Sequence, residues 1–184
     1  MHFQKCISFI VLVFLLSCSS TFKVETDPLD NTKIITYETK LETVRGLLGN
    51  HYIQLVKSSK NDKNAAVKMN MKFYGYYKEK ASKDYIELNI DDVMHKLPVE
   101  LTESYTSASG CEKLTEEAIT TYDEKRLWYT IKLTVPISAE FVEKLKGAKK
   151  LLIRVHYFNN VGEDASTFGF SQGQIENVGE LLRM

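Results

Sequence analysis

The stretch AAVKMNMKFYGYYKEK, residues 65–80, decides the fold. Val67, Met69, Met71 and Phe73 fall on one side of an extended chain, and Lys68, Asn70, Lys72 and Tyr74 fall on the other. A strand turns successive side chains to opposite faces, so this alternation predicts a half-buried β-strand with a polar outer face. HYIQLVK (51–57) precedes it across the polar turn SSKNDKN, and YIELNI (85–90) follows it across EKASKD. Short polar turns between alternating segments predict an antiparallel meander of these three strands.

A further strand is expected at RLWYTIKLTV (126–135), with Leu127, Tyr129, Ile131, Leu133 and Val135 on one face, paired with AITTY (118–122) through the turn DEK. Pro136 ends it, and Ser138 caps a short helix AEFVEKLK whose apolar stripe is Phe141, Val142 and Leu145. Gly147 stands where that helix would stop. A buried strand KLLIRVHYF follows, then the loop NNVGEDAS and a short strand TFGF. Ser171 with Gln174 forms a capping-box pattern opening a last helix that carries Ile175, Val178, Leu181 and Leu182 on one side. Segment 91–118 reads either way: VMHKLPVELTE as an edge strand interrupted by Pro98, EKLTEEA as a short helix.

Composition fits this picture. The chain has 184 residues, 43% hydrophobic and 26% charged, with ten Tyr and nine Phe, types that suit a pleated, half-buried surface. The expected fold is mainly β, a β-sandwich or partly open antiparallel barrel with two short C-terminal helices, and residues 33–184 form its single domain. The formal net charge is zero, which supplies no general attraction to nucleic acid or an anionic bilayer, and no nucleic-acid partner is expected.

The first residues have a different character. A weakly basic start is followed by CISFIVLVFLL, Cys6–Leu16. That run is too short to cross a bilayer, which takes about twenty residues, but fits the apolar core of an export signal. It ends in Leu15-Leu16-Ser17-Cys18. Here the sequence resembles a bacterial lipoprotein precursor, in which a Leu three residues before the cysteine and a small residue just before it form the lipobox. Leu16 departs from the usual small residue, and the stretch is closest to the relaxed lipoboxes of spirochaetes. The resemblance covers residues 1–18 and implies removal of residues 1–17 as a signal peptide and acylation at Cys18. It implies a palmitate-type lipid anchor in the cell envelope, in the outer membrane by analogy with sorting on Ser19. Each buried CH₂ contributes about 0.8 kcal/mol, so two or three acyl chains hold firmly what one holds only marginally. Residues 18–32, with Ser, Thr, Asp and Pro28, are expected to be the lipidated N-terminus and a flexible tether.

With Cys6 lost and Cys18 acylated, Cys111 is left as a single thiol, expected to be buried and inert. His51, His95 and His156 show no ligand spacing, and no phosphate loop or nucleophile elbow is present. Asp91-Asp92 and Glu163-Asp164 are acidic pairs of the kind that bind hard cations, yet such pairs in turns are ordinarily just solvated. No catalytic residue, metal or cofactor is therefore expected. The surface with most to offer is the polar face carrying Lys68, Lys72, Tyr74, Tyr76 and Lys78, whose ammonium groups and phenol rings suit a glycan, an anionic polymer or a protein partner. The leading expectation is an envelope lipoprotein with a non-catalytic binding or structural role. The alternatives are a carrier with an apolar cavity and an envelope hydrolase.

Overall fold

The computed structural model describes residues 22–46, 51–60, 63–76, 80–81, 83–109, 111, 113–158 and 161–184, with backbone only at 63, 64, 76, 80, 81, 101 and 124. The leader, Cys18 and Lys78 lie outside the described residues, as does the Tyr76 side chain. The fold is mainly β: one continuous antiparallel sheet, curled into a half-barrel, with three short helices.

The strands are β1 (Phe22–Thr26), β2 (Thr32–Arg45), β3 (His51–Lys60), β4 (Lys63–Tyr76), β5 (Lys80–Ala81), β6 (Tyr85–Ile90), β7 (Val93–Pro98), β8 (Leu101–Ala108), β9 (Leu127–Ile137), β10 (Leu151–Phe158) and β11 (Glu163–Gly169). The helices are α1 (Glu116–Ile119), α2 (Ala139–Lys146) and α3 (Gln172–Arg183). Across the sheet the order is β7-β6-β10-β11-β2-β3-β4-β9-β8, with β1 on β2 and β5 on β10.

That order explains the curl. β7 and β8 are the two ends of the path, yet only Val99 and Glu100 join them. Such a link reaches at most ~11 Å, about two strand spacings, so the two ends of the sheet must come together there. The link itself stitches them: Val99 N–H donates to the Asp84 carbonyl beside β6, and Glu100 N–H donates to the Thr134 carbonyl of β9, both at 2.8 Å.

Alternation in β4 is as the sequence predicts, with Val67, Met69, Met71 and Phe73 buried. They join Ile53 and Leu55 of β3, Ile131, Leu133 and Val135 of β9, and Ile86, Leu88, Ile153 and Val155 of the other half in one core. Each such side chain contributes about 1.5–3 kcal/mol by leaving water. At the centre, Phe73 of β4 stacks on Phe168 of β11 with ring centroids 4.9 Å apart, and buried His51 lies 4.7 Å from Phe168. Leu145 of α2 and Ile175, Val178, Leu181 and Leu182 of α3 cover the apolar side of the sheet.

Three expectations about pairing are corrected. YIELNI does not neighbour β4; as β6 it pairs with β7 and β10, because the chain crosses to the other half of the sheet after Tyr76. AITTY is not a strand, since Thr115 accepts from Ala118 N–H and starts α1 instead. The strand beside β9 is β8, from the segment that read either way. β11 is also longer than TFGF and takes in Glu163–Ser166 of the expected loop. The described chain begins with β1, which pairs with β2 and lies inside the segment 18–32 expected as a tether.

Candidate functional site

Register turns the polar side of β2, β3, β4, β9 and β8 into rows. Glu38 faces Gln54, Gln54 faces Asn70, and Asn70 faces Thr134. These side chains are hydrogen-bonded in sequence and in one direction. Thr134 Oγ1 donates to Asn70 Oδ1 at 3.1 Å, Asn70 Nδ2 to Gln54 Oε1 at 3.3 Å, and Gln54 Nε2 to Glu38 Oε2 at 3.4 Å. Donors aligned this way polarise one another toward the terminal carboxylate. The ladder uses one N–H and one carbonyl lone pair of each amide, leaving a second of each to meet a ligand or water.

The adjacent row is Lys40, Tyr52, Lys72, Lys132 and Glu103, on five neighbouring strands. Beyond it Tyr74, Thr130 and Tyr105 face one another. Tyr52 and Tyr74 meet edge to face at 6.5 Å, Lys72 Nζ lies 5.2 Å from the Tyr74 ring, and Lys132 Nζ lies 5.2 Å from the Tyr105 ring. The first two rows enclose a hollow of about 600 Å³, with the ladder as floor and Tyr52, Lys72, Tyr74, Lys132, Glu38 and Glu103 around it. A second hollow of about 310 Å³ opens on the far side of Lys72 and Tyr74, toward Trp128 and Cys111. Lys72 and Tyr74 line both, so the two hollows adjoin as one trough along this face. Thr130 and Ser107, deep in its second half, are buried and share a hydrogen bond of 2.9 Å.

Of the residues expected on this face, Lys72 and Tyr74 line the trough. Lys68 is turned aside into an ion pair with Glu100 at 2.9 Å. Sequence reasoning missed Glu38, Tyr52, Gln54, Glu103, Lys132 and Thr134. The alternation in HYIQLVK and RLWYTIKLTV already put four of them on polar faces, but which strands are neighbours could not be read.

The other candidates take structural places. Asp91 and Asp92, both at positive φ (49° and 69°), make the tight turn between β6 and β7. Asp91 Oδ1 accepts from the Lys149 and Lys150 N–H groups at 2.8 Å each, and Asp92 pairs with Lys150 at 2.6 Å. Glu163 pairs with Lys83 at 2.9 Å, and this hydrogen-bonded carboxylate holds the Lys83 ammonium above its ordinary pKa. His156 lies 3.7 Å from Glu87, which Arg154 also contacts at 3.2 Å, and His95 packs on Phe141. Cys111 is half-buried, and its thiol donates to the Lys113 carbonyl. Among the described residues no group of three His, Cys, Asp or Glu is placed to hold a metal, and no helix is long and apolar enough to cross a membrane. No family model, curated protein or solved structure matches the chain.

Proposed function

We propose that this chain is a membrane-tethered, non-catalytic binding protein of the bacterial cell envelope, held by acylated Cys18 and presenting the polar trough to a ligand. The observation that carries the reading is the ladder from Glu38 to Thr134 on four adjacent strands, flanked by Tyr52 and Tyr74. A sheet face that only needs solvation is served by charges in any order. Here amides stand in register, a hydroxyl feeds them and aromatic rings flank them, which is the chemistry of a recognition surface. The opposite side of the same strands is core, so the array is held on a rigid support. The carrier reading has less behind it, because α2 and α3 occupy the apolar side of the sheet with Leu145, Ile175, Val178, Leu181 and Leu182.

Hydrogen–deuterium exchange of the full chain with isolated envelope material from the native host tests the face. Protection should appear in β3, β4 and β9. It should vanish in the triple variant Tyr52→Ala, Lys72→Ala, Tyr74→Ala while circular dichroism stays unchanged. Protection that persists in a folded triple variant removes the trough from consideration. Mass spectrometry of the mature N-terminus tests the tether, and an unmodified Cys18 thiol defeats it.

A further inference from the structure

We infer that the β1–β2 hairpin is a docking edge for a neutral, zwitterionic lipid surface, held there by the short stretch of chain between Cys18 and β1. The inference rests on the acylation of Cys18 proposed above and adds the orientation of the domain on its bilayer.

The length of that stretch carries the argument. β1 begins at Phe22, so only Ser19, Ser20 and Thr21 separate it from Cys18. From Cys18 to Phe22 the chain reaches at most ~14 Å. An acylated cysteine sits at the top of the hydrocarbon, and the headgroup layer above it is about 5–8 Å thick. Phe22 is therefore held within about 10 Å of the headgroup surface, roughly two strand spacings. A domain held so closely cannot stand clear of the bilayer, and one of its surfaces must rest there.

Two independent features select the hairpin. Val24 of β1 is 55% exposed, and Leu29 at the turn is 94% exposed. Scattered apolar side chains are ordinary on a protein surface. These two stand on the very hairpin that the anchor enters. In addition, β1 pairs with β2 alone among the described strands, which leaves its outer row of N–H and C=O groups open. An open edge invites pairing with another chain, whereas headgroups and their water laid along it satisfy the same groups. The other surface close to Phe22 is the start of α3, where Asn177 donates to the hydroxyl of Tyr37, the register partner of Phe22. Its exposed side chains Gln172 and Glu176 are polar and gain nothing from lipid.

Charge sets the lipid class. Over residues 22–33, Lys23 and Lys33 stand against Glu25, Asp27 and Asp30, so the hairpin has no attraction for anionic lipid. Contact along this edge leaves the polar face of the sheet uncovered. The trough stays open to water, with its β2 side nearest the bilayer.

Fluorescence quenching tests the inference on the lipidated full chain, in phosphatidylcholine vesicles that carry a nitroxide on the headgroup. In a Cys111→Ser background, Val24→Cys, Leu29→Cys, Gln172→Cys and Lys125→Cys each take a bimane label. Lys125 immediately precedes β9, three strands along the sheet from β2. The labels at positions 24 and 29 should lose their emission, and those at 172 and 125 should keep it. Added phosphatidylglycerol or salt should change neither result. A flexible Gly-Ser insertion after Thr21 should restore emission at both hairpin positions. Quenching at position 172 in place of 29 means that the domain stands on α3 and overturns the docking edge. Equal quenching at all four positions overturns it as well. Quenching that needs phosphatidylglycerol overturns the neutral surface, and quenching that survives the insertion overturns the short chain as its cause. Mass spectrometry of the same preparation separates the two readings. With Cys18 unmodified both fall, whereas acylated Cys18 beside an unquenched hairpin leaves the anchor standing and the docking edge wrong.

Discussion

Lys72 of β4 stands directly opposite Lys132 of β9, and each ammonium leans back over a tyrosine, Lys72 over Tyr74 and Lys132 over Tyr105, both at 5.2 Å. Like charges opposite one another on a sheet are destabilising by a few tenths to about 1 kcal/mol, and cation–π contact at an exposed site returns a similar amount. Lys72→Glu would instead place a carboxylate opposite Lys132. Its expected effect is a gain of between about 0 and 1 kcal/mol in stability together with loss of ligand protection at the trough. Urea midpoints and the exchange experiment on the same preparation check it. A clear loss of stability would mean that the lysine pair is structural.

The ladder makes an energetic statement of its own. Asn70 accepts from Thr134 and donates to Gln54, so Asn70→Ala should cost about 1–2 kcal/mol even on a half-exposed face. Thr134→Val breaks the same link from the other side. A double-mutant cycle should return a coupling of about 0.5–1.5 kcal/mol, whereas independent, solvated side chains would add without coupling.

Position 46 tests the junction between the sheet halves. Gly46 has φ +102°, a conformation that side chains rarely adopt, and a Cβ there would stand 2.7 Å from the Ser166 Cα. Ser166 is itself fully buried, next to the register shift between Thr167 and Phe168 where β11 meets β2. Gly46→Ala should therefore destabilise by about 1–3 kcal/mol, read as a lower thermal midpoint. No change would mean that the β2–β11 junction is loose.

These positions also show how far the sequence was legible. Period-two alternation identified β4, β6 and β9, because one face of each is apolar. The caps Ser138 and Ser171 identified both longer helices, since a cap is a local hydrogen bond. Strand neighbours were not legible, because pairing across the sheet depends on distant registers and on the two-residue Val99–Glu100 link. Half of the trough was hidden for the same reason. Lys72 and Tyr74 were visible on β4, but Tyr52 and Lys132 became the partners of Lys72 only once β3 and β9 were known to flank it.

Acid should act on α2 through Glu140. A hydrogen bond from Lys144, and then the lysine's charge, hold the Glu140 carboxyl below its ordinary value near 4.5. A lowered folded pKa contributes stability that is fully present above the unfolded value and is lost as pH falls through the folded one. Glu140→Gln should thus melt slightly earlier than the parent at neutral pH, and the two thermal midpoints should converge as pH drops below 4.5. Midpoints that stay apart in acid would show that the ion pair is not the cause.

Gln174 ties α3 to the sheet. Its Oε1 accepts from Ser171 N–H at 2.8 Å, completing the capping box. Its Nε2 donates to Thr39 Oγ1 and to the Lys40 carbonyl, both at 2.7 Å. Ser171 has only the capping role, so Ser171→Ala should cost about 1 kcal/mol. Gln174→Ala removes that contact and two bonds to β2, and should cost about 2–3 kcal/mol. β2 also carries Glu38, the acceptor that ends the ladder on the opposite face. If α3 fixes the β2 backbone, Gln174→Ala should raise amide exchange at residues 38–40 as well as in α3, while Ser171→Ala raises it in α3 alone. Equal exchange at residues 38–40 in both variants would mean that the helix and the trough are independent.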